Sequence, residues 1–197
     1  MASMSGLHIL QDTGVPAGST DYTTLVVIHG IVWHSGKHWG TSSGSEHWVT
    51  SIIVSAIFSR MLPLASANNV RIILVNRQDY PGGAPYAASD RALLAAPTGS
   101  SRQAVPLPSE NAWLFMQHRA HTLHELLKEL VLTRGIRPAQ PNLNKGGIIL
   151  VGWSLGVAWI TALLTHVGSF QTHGVDLSQY VRRVVLYGKL LPLRYRL

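Results

Sequence analysis

Apolar residues in this chain fall into short continuous runs separated by longer stretches in which they recur every third or fourth position. The runs His8–Gln11, Leu25–Ile28, Val70–Val75, Ile148–Val151 and Val181–Tyr187 are rich in β-branched residues and bounded by turn formers, the pattern of buried strands. Between them, Ile52–Leu64 has helical spacing, and Trp113, Met116, Ala120, Leu123, Leu127 and Leu130 form one stripe behind a helix start at Ser109-Glu110-Asn111. Leu155 to Leu164 repeats that spacing. Strands alternating with helices predict an α/β fold with a mostly parallel sheet and helices on both faces. Two stretches stand outside the alternation. Residues 31–56 are long, polar and rich in His, Trp, Gly and Ser, and residues 87–108 lack apolar periodicity and contain three prolines, as a lid or binding loop would.

The sharpest local signal lies between Gly146 and Leu164. The run Ile148–Val151 reads as a strand buried on both faces, and from Leu155 the spacing is helical, so Gly152-Trp153-Ser154-Leu155-Gly156 spans the change. A serine on so tight a strand-to-helix turn takes strained backbone geometry and presents its hydroxyl at the C-terminal edge of the sheet, beside the first free N–H groups of the helix. Side chains at Gly152 and Gly156 would push strand and helix apart. Leu25–Ile28 likewise ends at the sheet's C-terminal edge in His29-Gly30, placing unencumbered backbone where α/β sheets bind ligands.

Composition narrows the classes. A hydrophobic content of 46% with 13% charged residues belongs to a folded chain. The balance of 16 Lys and Arg against 9 Asp and Glu gives +7, but the basic residues are scattered apart from Arg182-Arg183 and Arg194 to Arg196, so the charge reads as solvated surface and not as a nucleic-acid footprint. With no cysteine there is no disulfide, thiol nucleophile or Cys-based metal site. The apolar window Trp48–Phe58 is shorter than the roughly 20 residues a bilayer span takes, and Met1–Leu10 lacks a signal-peptide pattern, so a soluble cytoplasmic chain is expected. His34, His38 and His47 sit in a Gly-Ser context with only Glu46 nearby, and His118, His121 and His124 follow the margin of a helical stripe; both sets read as polar residues, with no metal. Gly36-Lys37 lacks the upstream glycine of a phosphate loop.

The apolar strand into His29-Gly30, the later Asn76-Arg-Gln-Asp-Tyr-Pro-Gly-Gly-Ala-Pro-Tyr86 and the Gly-Trp-Ser-Leu-Gly turn, in that order, resemble the α/β-hydrolase superfamily over roughly His8 to Tyr187. The resemblance implies a serine hydrolase for ester or similar acyl bonds, with no cofactor. Ser154 would be the nucleophile, the backbone N–H groups of Ile31 and Leu155 the oxyanion donors, and His29, Gly30, Gly152, Trp153 and Gly156 would shape the site. Arg77 and Asp79 read as a structural turn beside it.

This chain departs from that pattern in its later part. The family places an acid and a histidine after the serine, whereas here only His166, His173 and Asp176 follow, all ahead of the last predicted strand. The tail 188–197 holds neither carboxylate side chain nor imidazole. Two readings stand: an esterase- or lipase-like enzyme, or an inactive hydrolase-like module or truncated product that keeps the pocket and binds a small apolar ligand or a partner. The sheet is expected to lack the family's last strands, and its exposed edge to favour self-association. One domain spanning 1–197 is expected, with 37–56 inserted and 188–197 atypical. Both departures begin with Gly-Lys, which GGT-AAG encodes with a splice-donor GTAAG inside it. Read-through of two introns, and a longer native product, is therefore expected. Sequencing the transcript checks this: the expected cDNA omits the codons for 37–56 and diverges after Gly188, and a cDNA retaining both segments rejects it.

Overall fold

In the computed structural model, residues 5–30, 58–80, 82–95, 109–170 and 174–188 are described; segment 37–56, the tail beyond Gly188, Ile31, His34, His38, His47 and His173 lie outside them. Five strands, β1 (His8–Asp12), β2 (Thr23–Ile28), β3 (Val70–Asn76), β4 (Ile148–Trp153) and β5 (Val181–Tyr187), form one sheet in the order β1-β3-β2-β4-β5. Strands β2, β3, β4 and β5 run parallel, and β1 pairs antiparallel with β3 through a bulge between Ile9 and Gln11. The coarse α/β class is thus present, with a mixed sheet. Three α-helices with both ends among the described residues accompany it: α1 (Ala88–Leu94), α2 (Ser109–Arg134) and α3 (Leu155–His166). No helix among the described residues is long and apolar enough to cross a membrane.

The main core lies on one face, where Leu123, Leu126, Leu127 and Leu130 of α2 and Trp159, Ile160 and Leu163 of α3 pack on Val26, Ile28, Ile73, Val75, Ile148 and Leu150. The other face carries Val27, Ile72 and Leu74 under Ala65, Phe58, Met61 and Leu62, contributed by helical residues 58–59 and the 3-10 turns that follow. Helices on both faces were expected; among the described residues both long helices share one face. Strand β4 also differs from expectation. Its burial alternates, with Ile148 and Leu150 fully buried and Ile149 and Val151 half-buried, so only one of its faces is closed by described residues.

Residues 88–94 of the expected 87–108 loop are helical. The reason is tertiary: Asp90 is buried and bonded to Arg119 and His118 of α2. Arg119 is itself buried beneath the rings of Tyr86, Phe115 and Trp159, and it also bonds Gln78. His124, expected at the helix surface, is buried against Phe170. At the opposite end of the sheet Arg71 donates twice to Asp12, at 2.8 and 2.6 Å, and once to the carbonyl of Arg134 at 2.8 Å. One guanidinium thus joins β1, β3 and an otherwise unsatisfied carbonyl in the last turn of α2.

Two leucines of α2 separate packing from propensity. Leu127→Ala, in the core, is expected to cost about 2–5 kcal/mol in urea unfolding, whereas Leu132→Ala, at a position 69% exposed, should change stability by no more than about 0.5 kcal/mol. Equal losses would mean that α2 does not pack by this face.

Candidate active site at the Ser154 turn

Strand β4 delivers its last residue, Trp153, to the C-terminal edge of the sheet, and α3 begins two residues later at Leu155. Ser154 alone makes the turn, with φ 54° and ψ −120°, a conformation that costs a side-chain-bearing residue about 1–3 kcal/mol. Its N–H donates to the Tyr187 carbonyl at 2.8 Å, and its hydroxyl caps no N–H of the helix it opens. The half-buried side chain therefore stands at the edge beside β2, where Gly30 ends the neighbouring strand's extension.

Why glycine stands at these positions follows from closeness of approach. A Cβ on Gly30 would lie 2.5 Å from the Ser154 Cβ and 3.0 Å from its Oγ, so the Gly30 backbone packs directly on the serine side chain. One on Gly156 would run into the Ile28 carbonyl, and one on Gly152 would lie 2.8 Å from Ile160 Cδ1 and 2.9 Å from the Gly156 backbone. These contacts seat the start of α3 on the ends of β2 and β4. The N–H of Leu155, at the first position of α3, belongs to the groups a helix leaves without intrahelical partners.

A clasp beneath the site holds Gly30. The carbonyl of Gly30 accepts from His29 Nδ1 at 2.7 Å and from the Arg77 guanidinium at 3.1 Å. His29 Nε2 accepts the Arg77 backbone N–H at 3.3 Å, so its two partners define one neutral tautomer. Burial, and then the adjacent Arg77 charge, push the His29 pKa down to about 4. Arg77 also donates to the Tyr80 hydroxyl at 2.9 Å and lies 4.8 Å from the Tyr80 ring and 5.7 Å from that of Trp159. The residue is 2% exposed, and its Nε–H has no hydrogen-bond partner among the described residues. Sequence reasoning took Arg77 as part of a turn and did not see this role, which depends on a residue 47 positions away.

The clasp also removes His29 as a proton acceptor, because both ring nitrogens are engaged and neither is bonded to Ser154. The described imidazole and carboxylate that follow the serine in the chain are distant. His166 lies twelve residues along α3 from Ser154, about 18 Å at the helical rise, and stacks edge-on to Trp113. Asp176 caps the turn that leads into β5, whose first residue pairs with Ile148; the six residues of β4 put roughly 20 Å between that level and Ser154. Among the described residues no imidazole or carboxylate bonds the serine, and no group of three or more metal-ligating side chains occurs. Two small clefts, of about 160 and 210 Å³, open beside residues 62–70 and not at Ser154. Comparison with protein-family models, with curated proteins and with solved structures returns no match.

The neutral state of His29 makes stability depend on pH. Its folded pKa, about 4, lies below the ordinary value of 6.5, so the unfolded chain binds the proton more tightly. Stability should fall as pH drops from about 6.5 to 4, by an amount on the order of 3 kcal/mol, and this contribution should change no further at lower pH. Burial lowers the pKa of His124 as well, so the informative comparison is with His29→Gln, which should lose most of the slope; an unchanged slope refutes the clasp.

Proposed function

We propose that this chain carries the nucleophile turn of an α/β-hydrolase-type serine hydrolase acting on ester or similar acyl bonds, and that in this form it does not turn substrate over. One observation carries the reading: Ser154, at φ 54° between a strand and a helix, has its Oγ packed against the Gly30 backbone. Such an arrangement suits attack on an acyl carbon, because an oxyanion formed there needs fixed N–H donors about 3 Å away and helix-start amides are left free for that purpose. Leu155 supplies one such amide; the resemblance assigns the other to Ile31. No cofactor has a part in this chemistry.

The second half of the proposal rests on there being no base bonded to Ser154 among the described residues. A serine hydroxyl attacks efficiently only when a neighbouring group takes its proton. His29 is engaged on both nitrogens, and His166 and Asp176 lie at the far ends of their elements. Oxyanion donors alone retain only the residual part of the rate enhancement that survives loss of a catalytic triad. The chain then acts as a module that holds an acyl compound or another small apolar molecule without cleaving it.

Hydrolysis of short p-nitrophenyl esters should be negligible and equal for this chain and Ser154→Ala, and a fluorophosphonate should not label the protein. Imidazole added as a diffusible base should then restore slow p-nitrophenol release that Ser154→Ala lacks. Clear Ser154-dependent turnover without imidazole overturns the inactive reading and points to a base such as His34; absence of rescue overturns the role of Ser154 as nucleophile.

A further inference from the structure

Strand β5 is the last strand on its side of the sheet among the described residues, and its C-terminal half is exposed on both faces: Val185 39%, Leu186 48% and Tyr187 69%. Its backbone directions follow from the pairing with β4. The Tyr187 carbonyl accepts from Ser154, and in a parallel ladder alternate residues address the same neighbour. Arg183, Val185 and Tyr187 therefore turn their peptide groups inward to β4, while Val184 and Leu186 turn theirs outward. The usual devices that blunt an edge are absent from this half of the strand. It contains no proline, its register shift lies at the other end beside Ile148 and Ile149, and Arg182 is turned back onto its own molecule, donating to Asn144 and Thr23.

We propose that the outer edge of β5 is a dimerisation surface for a second copy of this chain, paired antiparallel about a two-fold axis beside Val185. In that register Val184 and Leu186 exchange both of their free backbone bonds with the partner's Leu186 and Val184, giving four hydrogen bonds in all. Side chains on the exposed face, Arg183, Val185 and Tyr187, then meet their own reversed image. Each guanidinium lies across from a tyrosine ring, and Val185 lies across from itself. An in-register parallel pair would instead set Arg182 and Arg183 against their own copies, which like-charge repulsion disfavours. The strand is thus complementary to its own two-fold image, which an unrelated strand would match only by chance. A two-fold pair uses both edges up and closes at two copies without growing into a fibre.

The absence of native cysteine permits a direct test on the whole chain. In the proposed register two Val185 Cα atoms lie about 4.5 Å apart, within disulfide reach, whereas two Arg183 Cα atoms are separated by four residues, roughly 13 Å. Sedimentation velocity at micromolar concentration should give a dimer. Under mild oxidation Val185→Cys should convert to a disulfide-linked dimer and Arg183→Cys should not. Leu186→Pro, which deletes one outward N–H on an edge that tolerates proline, should weaken the dimer by about tenfold or more. Leu164→Ser, at another exposed apolar position, should leave it intact. A monomer across the concentration range overturns the proposal; cross-linking of Arg183→Cys as readily as Val185→Cys, or a dimer indifferent to Leu186→Pro, overturns it as well.

Discussion

Everything at the C-terminal edge of the sheet depends on how closely the backbone that ends β2 approaches the backbone that opens α3. The Ile28 carbonyl occupies the space where a side chain on Gly156 would be, and the Gly30 backbone lies against the Ser154 side chain. Wider spacing at either point would separate Ser154 from the Gly30 loop and leave the first turn of α3 without its seat. The clasp of His29, Arg77 and Tyr80 complements this contact, since two donors to the Gly30 carbonyl fix the direction of that group.

Two buried guanidinium groups near Trp159 show different solutions to one electrostatic problem. Arg119 is neutralised by Asp90, a carboxylate that is itself buried, and the pair draws α1 onto α2. Arg77 has no carboxylate partner among the described residues and is compensated by a carbonyl, a phenol and two ring faces. Those dipoles are fixed by the fold, so the cation is stabilised only while the loop after β3 and the turn after β2 keep their places. Removing a dipole from such a group leaves a charge desolvated, which is costlier than losing an ordinary hydrogen bond. The strictness of the loop geometry follows from that asymmetry.

Local chemistry was legible in the sequence and long-range chemistry was not. The β-branched run Val181–Tyr187 has the same bounds in sequence and structure, and the apolar stripe of α2 was visible because its period is a property of a single helix. The Ser154 turn was equally plain, since strand, glycines and helix are contiguous. By contrast, α1 is held by Asp90 bonding Arg119 from 29 residues away, and periodicity carries no record of such a contact. His124 sits in a helix whose apolar stripe was read correctly at Ala120, Leu123, Leu127 and Leu130, although Trp113 at its start is 59% exposed and the buried Leu126 and Val131 were not included. The burial of His124 itself comes from Phe170, beyond the end of α3. The antiparallel setting of β1 was also invisible, because an edge strand's direction is set by pairing with β3 and not by its own residues.

The positive φ of Ser154 has a consequence for the ways this position can change. Backbone strain there belongs to the turn and not to the hydroxyl, so alanine, threonine or cysteine would inherit the same burden that serine carries. Only glycine would relieve it, because only glycine occupies that region freely. A lineage drifting away from chemistry at this site would therefore gain no thermodynamic advantage from most single replacements, and one replacement alone, the loss of the side chain altogether, would be rewarded by a steadier fold. Serine at this position thus carries a cost in backbone energy that glycine would not carry.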